Sequence, residues 1–383
     1  MNCDQAEAAA DLKSCEERTE ELGRIRIAIH DCTGSFSDRW IAYCNEKGIC
    51  HELVNCFDSD IVMRLKSFDA LLWHWDLNST QAALCARQLT ASLQNMNICV
   101  FPNIHTCWHY DDKVGQKYLL ESVGAPLVPS YVFYDEESAL NWIEQAAFPK
   151  VFKLRVGAGS RNVRLVRSRT EARALCRQAL GRGFPAVPGY WTDMRTRLRK
   201  TKTSTQFWEK LRRAPRTVWS NRVLRREVPR ERGYLYFQDF IPGMECDYRV
   251  KVVGRKIWAF RRLVRPGDFR ASGSGQLDFC PDEIPVEMLR IARDVAQMLS
   301  LQSVAFDFLV GDNGPQIIEM SYCYGLDMGE SSHWWDHGLN LNTEFFWPQD
   351  AILEDVLAQI GSGSARGQDK VHRLPAGIGI QSG

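Results

Sequence analysis

The 383-residue sequence predicts an α/β protein with more than one domain. Between residues 24 and 105, four apolar strand candidates alternate with helical stretches, which is typical of a small parallel sheet covered by helices. Residues 106–182 and 234–360 contain two further groups of strands and helices. At about 100 to 200 residues per domain, the chain is long enough to form a core in each of these parts.

The first predicted domain, residues 24–105, has strand candidates at 24–30, 51–57, 70–75 and 98–101. Residues 78–96 are expected to form a helix with one apolar face, made of Ala82, Ala86, Leu89, Leu93 and Met96. Ligands of parallel sheets collect at the carboxyl ends of the strands. His30-Asp31 and His74-Trp75-Asp76 lie at two such ends and are candidates to line a substrate cleft. Roles as surface loop residues, or as a helix cap for Asp31, are the alternatives.

The rest of the chain divides into five predicted parts. Residues 106–182 form a small subdomain with strands near 130–133, 150–154 and 163–167. Residues 234–360 form a larger subdomain with strands at 234–241, 249–253, 256–264, 304–310 and 316–320, and with helices at 285–299 and 350–360. An insertion, residues 183–233, separates the two subdomains. Residues 1–23 and 361–383 are predicted to be flexible segments.

Composition and charge argue against several classes of protein. The apolar content of 45% and the charged content of 25% are ordinary globular values. The formal net charge of +1 gives no general attraction to nucleic acid or to a membrane. No stretch approaches the ~18 to 20 apolar residues of a membrane helix, and no secretory signal is visible. We therefore expect a cytoplasmic protein.

The thirteen cysteines are scattered through apolar runs and contain no C-x-x-C pair. Reduced, buried thiols are the expected state. Cys44, Cys50, His51 and Cys56 form the one cluster to weigh for zinc, but their spacing matches no standard zinc module. A zinc site is therefore not expected.

Charged residues inside apolar strands point to a site for metal and phosphate. The turn Gly311-Asp312-Asn313-Gly314 separates two such strands and predicts a hairpin, which brings Asp307 close to Glu319. A charge inside an apolar strand is costly without a partner, so a bound metal is favoured over two solvated carboxylates. Carboxylate oxygens suit Mg²⁺ or Mn²⁺, and Mg²⁺ takes its other ligands from water and phosphate. Lys153, in a further apolar strand, supplies a cation for phosphate.

Neither a P-loop motif nor a dinucleotide-binding glycine motif after a strand occurs in the chain. The order of the charged groups over roughly residues 101–325 instead resembles that of the ATP-grasp ligases, most closely the ribosomal-protein glutamate ligases and the bacterial glutathione synthetases. This resemblance implies an ATP-grasp fold, in which two α+β subdomains clasp ATP, preceded by a small Rossmann-like domain. It also implies two cofactors, ATP and Mg²⁺ or Mn²⁺.

The resemblance assigns nucleotide contacts to several positions. Lys113, after Asp112, and Lys153 resemble the two ATP lysines of the family. Gly157, Gly159 and Ser160 resemble the mobile loop that closes over the phosphates. Gln238, Asp239, Phe240 and Ile241 resemble the hinge whose backbone meets adenine. Glu245 lies where the D-alanine ligases have a ribose-binding carboxylate. Asp247, the first residue of a D-x-R motif, is a further predicted nucleotide contact.

The remaining motifs concern the substrate and the metal. Arg249 ends the D-x-R motif, and Arg262 and Arg270 resemble the family's two substrate-facing arginines. Two motifs depart from the family, because its E-x-N reads Glu319-Met320-Ser321 here and its R-x-N reads Arg270-Ala271-Ser272. A serine hydroxyl can bind Mg²⁺ but reaches less far than an amide carbonyl, so Ser321 is an open candidate beside Asp307 and Glu319. The run from Tyr322 to Pro348 also resembles poorly characterised ATP-grasp proteins of polysaccharide gene clusters.

The segment 189–232 is strongly basic. It contains fourteen basic and four acidic residues, an excess of ten positive charges in a chain whose net charge is +1. Aromatic residues are interleaved, at Tyr190, Trp191, Phe207, Trp208 and Trp219. The segment could bind a polyanionic acceptor such as an acidic glycan, a nucleotide-linked sugar or RNA. A solvated helical segment that packs its tryptophans on the protein is an equally open alternative.

Together these observations predict an ATP- and Mg²⁺-dependent carboxylate-amine ligase. It would form an amide or peptide bond through an acyl phosphate and release ADP and phosphate. Lys113 and Lys153 would hold the phosphates, and Arg249, Arg262 and Arg270 would stabilise the substrate carboxylate and the oxyanion. The alternatives are an ATP-grasp kinase that phosphorylates a hydroxyl or phosphate acceptor, and a nucleic-acid-binding protein with a degraded ATP site.

Overall fold

The computed structural model describes residues 25–76, 79–157, 163–185, 230–265, 275–325 and 332–362. These residues form two compact units. The first unit contains the described residues up to Ile104 together with those from Trp347 onward, and the second contains those from His105 to Phe346. None of the helices in the described part of the chain is long and apolar enough to cross a membrane.

Strands and helices alternate in the first half of the chain, and most of the elements in the second half are strands. The strands are β1 (Ile27–His30), β2 (His51–Val54), β3 (Ala70–Leu72), β4 (Cys99–Phe101), β5 (Ser130–Phe133), β6 (Lys150–Lys153), β7 (Val163–Val166), β8 (Phe184–Pro185), β9 (Arg230–Glu231), β10 (Leu235–Asp239), β11 (Cys246–Val253), β12 (Lys256–Leu263), β13 (Leu277–Asp278), β14 (Ser303–Gly311), β15 (Gly314–Ser321), β16 (Trp334–Trp335) and β17 (Leu341–Asn342). The helices are α1 (Phe36–Lys47), α2 (Ile61–Arg64), α3 (Thr80–Asn95), α4 (Ile104–Cys107), α5 (Lys113–Ser122), α6 (Glu136–Gln145), α7 (Arg169–Leu180), α8 (Val286–Met298) and α9 (Pro348–Gly361), with 3₁₀ turns at Leu65–Ser67 and Pro281–Glu283.

The first unit is built on a parallel sheet with the strand order β2-β1-β3-β4. Strands β3 and β4 are apolar and buried throughout, as expected for a parallel sheet that is covered on both faces. Strand β2 lies at the edge and exposes Glu52 and Leu53. The small parallel sheet predicted from the alternating pattern is therefore confirmed.

Helix α9 packs against this first unit, although the sequence prediction assigned residues 350–360 to the larger subdomain. Asp350 accepts hydrogen bonds from Arg39 of α1, with Nε–Oδ1 and Nη2–Oδ2 distances of 2.7 and 2.6 Å. The indole of Trp40 donates to the carbonyl of Gln349 at 3.0 Å. The prediction and the structure differ because the periodicity of α9 specifies an apolar face but not the core against which that face packs.

We predict that Asp350→Ala destabilises the protein by about 2 to 4 kcal/mol, because the substitution leaves the partly buried Arg39 without its best partner. Glu46→Ala is the matched control, since Glu46 also pairs with Arg39 but lies exposed at the surface, where such pairs contribute about 0 to 1 kcal/mol. Chemical denaturation of both variants measures the difference. Equal effects of the two substitutions would contradict the docking of α9 through Asp350.

The smaller sheet of the second unit has the strand order β5-β10-β6-β7 and is antiparallel. Its core contains Phe152, Phe237 and Leu235 with apolar residues of α6 and α7. The sequence prediction placed residues 234–241 in the larger subdomain, whereas β10 lies between β5 and β6. Pairing of Gln238 with Ser130 on one side and with Val151 on the other fixes it there.

The larger sheet of the second unit has the strand order β15-β14-β11-β12-β16-β17, and β13 pairs with β12. One face is apolar, with Val250, Phe306 and Phe308 packed against α8. Since successive residues of a strand point to opposite faces, Arg249 and Asp307 belong to the other face. The same strands therefore supply both a core and a surface for charged groups.

The predicted hairpin is present between β14 and β15. Gly311 pairs with Gly314 across a two-residue turn, and Gly314 has a φ of +81°, which favours glycine. The register shifts between Asp307 and Phe308, so that Ile318 is the additional residue of a β-bulge. Asp307 and Glu319 consequently remain directly opposite each other.

Candidate nucleotide and metal site

An open cavity, with about 820 Å³ of empty space including the solvent at its mouth, lies in the second unit. Most of the predicted nucleotide and metal residues in the described part of the chain line it, namely Lys113, Lys153, Gly157, Gln238, Asp239, Phe240, Ile241, Asp247, Asp307 and Glu319. Apolar lining residues that the sequence analysis did not single out are Val151, Val163, Met244, Val264, Leu309 and Ile318. A mainly apolar wall with a few convergent polar groups is typical of a small-molecule site.

Three cross-strand pairs gather the charged groups on one face of the larger sheet. Asp247 lies opposite Arg262, Arg249 lies opposite Asp307, and Asp307 lies opposite Glu319. Directly opposed residues have their Cβ atoms about 4.5 to 5.5 Å apart, so each pair is in contact range. The strand order alone therefore brings the D-x-R motif, Arg262 and the two predicted metal carboxylates together.

Asp307 is the centre of this group. Its carboxylate accepts two hydrogen bonds from Arg249, at 2.8 and 2.9 Å, and Arg262 Nη2 lies 2.8 Å from its Oδ2. Burial alone would raise the pKa of Asp307, but the two guanidinium groups outweigh burial and hold that pKa below its usual range. Asp307 is therefore an anion at neutral pH.

Arg262 is shared between two carboxylates. Its Nε and Nη2 donate to Asp247 at 2.5 and 2.8 Å, and the same Nη2 faces Asp307. Burial opposes the charged form, but the attraction of Asp307 and Asp247 raises the pKa of Arg262. A bidentate guanidinium fixes the orientation of a carboxylate as well as its charge.

The two predicted ATP lysines approach the site from the smaller sheet and from α5. Lys113 Nζ lies 3.0 Å from Glu319 Oε1 and donates to the carbonyl of Gly157 at 2.9 Å. Lys153 Nζ donates to Gln238 Oε1 at 2.5 Å. Burial disfavours charge on Lys113, but Glu319 and then Asp111 raise its pKa above the ordinary value.

A short segment after Lys153 is held by residues that precede α5. The amide of Gly157 donates to both oxygens of Asp111, at 2.8 and 3.0 Å. Gly157 has a φ of +120°, a conformation that side chains rarely adopt, so a glycine is required here. Asp111 was not predicted, and its place immediately before the Asp112-Lys113 helix start was the available signal. Gly159, Ser160 and Arg270 lie outside the described residues.

A divalent metal would be held by Asp307 and Glu319, whose opposed positions suit a cation that uses one or two carboxylates. Both oxygens of Asp307 already face guanidinium groups, so a metal would share this carboxylate with Arg249 and Arg262. The hydroxyl of Ser321 donates to the carbonyl of Cys323 at 3.0 Å, which leaves its oxygen lone pairs for a ligand. Among the described residues, no group of three or more His, Cys, Asp or Glu side chains is arranged to hold a metal.

Some predicted residues lie elsewhere. Glu245 is exposed, while its neighbours Met244 and Cys246 line the cavity, and its ribose contact stays a prediction. In the first unit, His30 Nδ1 accepts from the amide of Cys56 at 3.0 Å. His74 stacks on Phe36 with a centroid distance of 3.7 Å, and its Nδ1 lies 2.7 Å from Ser35 Oγ. These contacts give both histidines a local packing role, and their part in a substrate cleft stays a prediction.

Lys251 is a buried residue of the charged face that the sequence analysis missed. Its Nζ donates to the carbonyl of Gly325 at 2.6 Å and lies 4.6 Å from the centre of the Tyr324 ring. The segment that follows the metal-motif residue Ser321 is thereby tied to β11. A lysine between valines in an apolar strand, Val250-Lys251-Val252, was the signal for it.

Solved structures of other proteins match the fold of this chain. D-alanine–D-alanine ligase from Bacillus anthracis, in complex with ATP, matches with a TM-score of 0.51 and 13% identity over 88% of this chain and 98% of the ligase chain. The ATP-grasp ligase PsnB, in complex with a minimal precursor, matches with a TM-score of 0.50 and 13% identity over 89% of this chain and 100% of that chain. The chain has the ATP-grasp fold.

A third match is the biotin carboxylase domain of Hydrogenobacter thermophilus 2-oxoglutarate carboxylase, solved with MgADP, ADP and bicarbonate. Its TM-score is 0.51, with 14% identity over 91% of this chain and 70% of that chain. No protein-family model matches the chain, and no curated protein matches it at a significant level. The fold predicted from the ordered motifs is thus confirmed by structure at low sequence identity.

We predict that binding of ATP at this candidate site depends on pH. Burial lowers the pKa of Lys153 to about 8, against the attraction of Glu319. If Lys153 binds phosphate as predicted, the phosphate requires the charged ammonium, so above pH 8 the binding of ATP would be coupled to protonation of the amine. The Kd for ATP should therefore rise by up to about tenfold per pH unit above that point.

Isothermal titration of ATP from pH 7 to pH 9.5 measures this effect. Lys153→Arg is the control, because its guanidinium stays charged throughout this range. Parallel pH profiles for the wild type and Lys153→Arg would show that Lys153 does not control the dependence.

Proposed function

We propose that this protein is an ATP- and Mg²⁺-dependent ligase that joins a carboxylate to an amine through an acyl phosphate. The observation that carries this proposal is the convergence of two buried lysines, Lys113 and Lys153, with two carboxylates, Asp307 and Glu319, on one cavity of an ATP-grasp fold. Cations and metal ligands side by side are what a triphosphate and its metal need. The nucleotides in the D-alanine–D-alanine ligase and carboxylase complexes support the same reading.

The nucleoside end of ATP fits the apolar part of the cavity. Residues Gln238, Asp239, Phe240 and Ile241 run along its wall, where their backbone groups can meet the adenine edge. Lys113 and Lys153 then lie at the end of the cavity suited to the phosphates, because Lys113 faces Glu319, a proposed metal ligand. Magnesium held by Asp307 and Glu319, with Ser321 as a further candidate, would neutralise phosphate charge there.

The proposed reaction has two displacements. A carboxylate oxygen of the first substrate attacks the γ-phosphorus of ATP, the bond to the β,γ-bridging oxygen breaks, and ADP leaves. The amine of the second substrate attacks the acyl carbon, the bond to phosphate breaks, and the nitrogen loses its proton to the medium. This route requires no nucleophilic side chain of the protein.

Arg249 and Arg262 are proposed to steady the substrate carboxylate and the oxyanion. In the structure both guanidinium groups already contact carboxylates, with Asp307 facing both and Asp247 facing Arg262. A substrate carboxylate would therefore share these donors, and a metal on Asp307 would weaken its hold on them. Loss of one such donor typically lowers the rate by ~100- to 1,000-fold.

A kinase reaction is the second candidate, because the same lysines and carboxylates suit transfer of the γ-phosphoryl group to a hydroxyl. The products separate the two candidates. A ligase releases free phosphate together with ADP and forms an amide, whereas a kinase leaves phosphate on the acceptor. A screen of amino acids and acidic sugars for carboxylate-dependent release of ADP, with mass analysis of the products, makes this distinction.

We predict that Lys153→Ala and Glu319→Ala each lower ATP turnover by at least ~100-fold at a temperature where circular dichroism shows the variant to be folded, because each substitution removes a charge at the cavity. Glu319→Ala should also lower the unfolding midpoint, since it leaves the buried Lys113 without its closest ion-pair partner. Lys117→Ala is the matched control, since Lys117 lies on the same helix as Lys113 but pairs with the exposed Glu121. Wild-type turnover in either site variant would remove that residue from the proposed machinery.

The basic segment is proposed to recruit an anionic acceptor, and most of it, residues 189–229, lies outside the described residues. Replacement of residues 189–229 by a short Gly/Ser linker should spare ATP binding and weaken use of an acidic acceptor. Arg230 and Glu231 are kept in this variant because they pair with β8. Wild-type acceptor kinetics should also weaken as salt screens exposed charges over ~8 to 10 Å. Indifference to both changes would rule out recruitment by this segment.

A further inference from the structure

Arg155 lies between the second ATP lysine and Gly157, and its backbone joins three parts of the site. Its amide donates a hydrogen bond to the hydroxyl oxygen of Tyr234 at 2.6 Å. Its carbonyl accepts a hydrogen bond from the amide of Lys113 at 3.0 Å. The strand that carries Lys153 is therefore bonded, two residues on, to the backbone of Lys113 itself.

The side chain of Arg155 makes a second connection to the start of α5. Nη1 donates to Asp112 Oδ2 at 3.1 Å, and Nη2 donates to Glu231 Oε1 at 3.4 Å. Asp112 is the residue that caps α5, accepting from the amide of Gly115 at 3.0 Å. One guanidinium thus connects the start of the helix that carries Lys113 to the short strand β9.

Glu231 is itself held in place. Tyr234 donates to Glu231 Oε2 at 2.7 Å, so this carboxylate is engaged on both oxygens. It is buried, and it belongs to β9, the strand that pairs with β8. Glu231, Tyr234, Arg155 and Asp112 therefore form a continuous chain of contacts behind the two lysines.

We propose that Arg155 is a positioning residue that sets Lys113 and Lys153 for the phosphates of ATP, and that Glu231 fixes Arg155 in this role. This inference rests on the proposed function, in which both lysines bind phosphate. The two ammonium groups repel each other, since Lys113 contributes to lowering the pKa of Lys153. The contacts of Arg155 join the segments that carry the two lysines and so oppose this repulsion, in addition to the attraction of Glu319 for both lysines.

A purely structural role of Arg155 would predict a loss of folding stability on its removal, whereas the positioning role predicts weaker phosphate binding. The side chain of Arg155 is 42% exposed, and ion pairs of such exposed groups contribute little to folding stability. Its removal should therefore act on phosphate binding much more than on the unfolding temperature. A lysine should replace it only in part, because a single ammonium cannot present the rigid fork of donors that reaches two carboxylates at once.

The test compares Arg155→Met, Arg155→Lys and Glu231→Gln in the full-length protein by isothermal titration with AMP, ADP and ATP in the presence of Mg²⁺. Arg173→Met is the matched control, because Arg173 is also 42% exposed and also ion-paired, with Glu144 on the neighbouring helix. We expect Arg155→Met to weaken ADP and ATP about tenfold while the affinity for AMP is unchanged. Arg155→Lys and Glu231→Gln should weaken the binding of ADP and ATP by less than Arg155→Met does, and should leave the affinity for AMP unchanged. Arg173→Met should change none of the three affinities.

Wild-type ATP affinity in Arg155→Met, or an equal loss for AMP, ADP and ATP, would overturn the positioning role while leaving the proposed function intact. Failure of the wild-type protein to bind ATP would overturn the proposed function and this inference with it. If Arg155→Met does not fold, as judged by thermal unfolding, Arg155→Lys and Glu231→Gln decide, and wild-type ADP and ATP affinities in both would overturn the inference.

Discussion

The cross-strand ion pairs on one face of the larger sheet are the constraint on which the candidate site depends. Antiparallel pairing places Asp307 opposite Arg249 on one side and opposite Glu319 on the other. Because successive residues of a strand alternate between faces, the same register sends Phe306 and Phe308 into the apolar core. The core and the site are therefore specified together, and a slip of one residue would exchange the charged and apolar faces.

Charge balance follows from this arrangement. A buried charge is tolerated when its partner is buried beside it, and removal of one partner is strongly destabilising. Asp247, Arg249, Arg262 and Asp307 carry equal numbers of positive and negative charges, and their contacts account for both oxygens of each carboxylate. In the proposed function, a nucleotide with its metal would bring charges of both signs. Its binding would then exchange partners within this neutral network.

Local signals in the sequence were sufficient for the hairpin and most of the strands, because turn residues and apolar alternation act over a few positions. The contacts between residues far apart in the sequence were not predictable in this way. Asp307 meets Arg249 across 58 positions, and Lys251 meets Gly325 across 74, so both contacts depend on strand order. Arg39 meets Asp350 across 311 positions, and the periodicity of α9 contains no information about which core it joins. The departure from E-x-N to Ser321 was visible in the sequence, but the contact of its hydroxyl with Cys323 was not.

The attachment of α9 to the first unit has a consequence for biogenesis. The chain segments that build this unit are separated by the entire second unit, from His105 to Phe346. At ~5 to 20 residues per second, synthesis of that intervening segment takes on the order of 10 to 50 s. During this interval the N-terminal sheet has emerged from the ribosome without the helix that supplies Asp350 to Arg39. The second unit is continuous in sequence and can complete its own fold first. The first unit can complete its fold only after α9 has been synthesised.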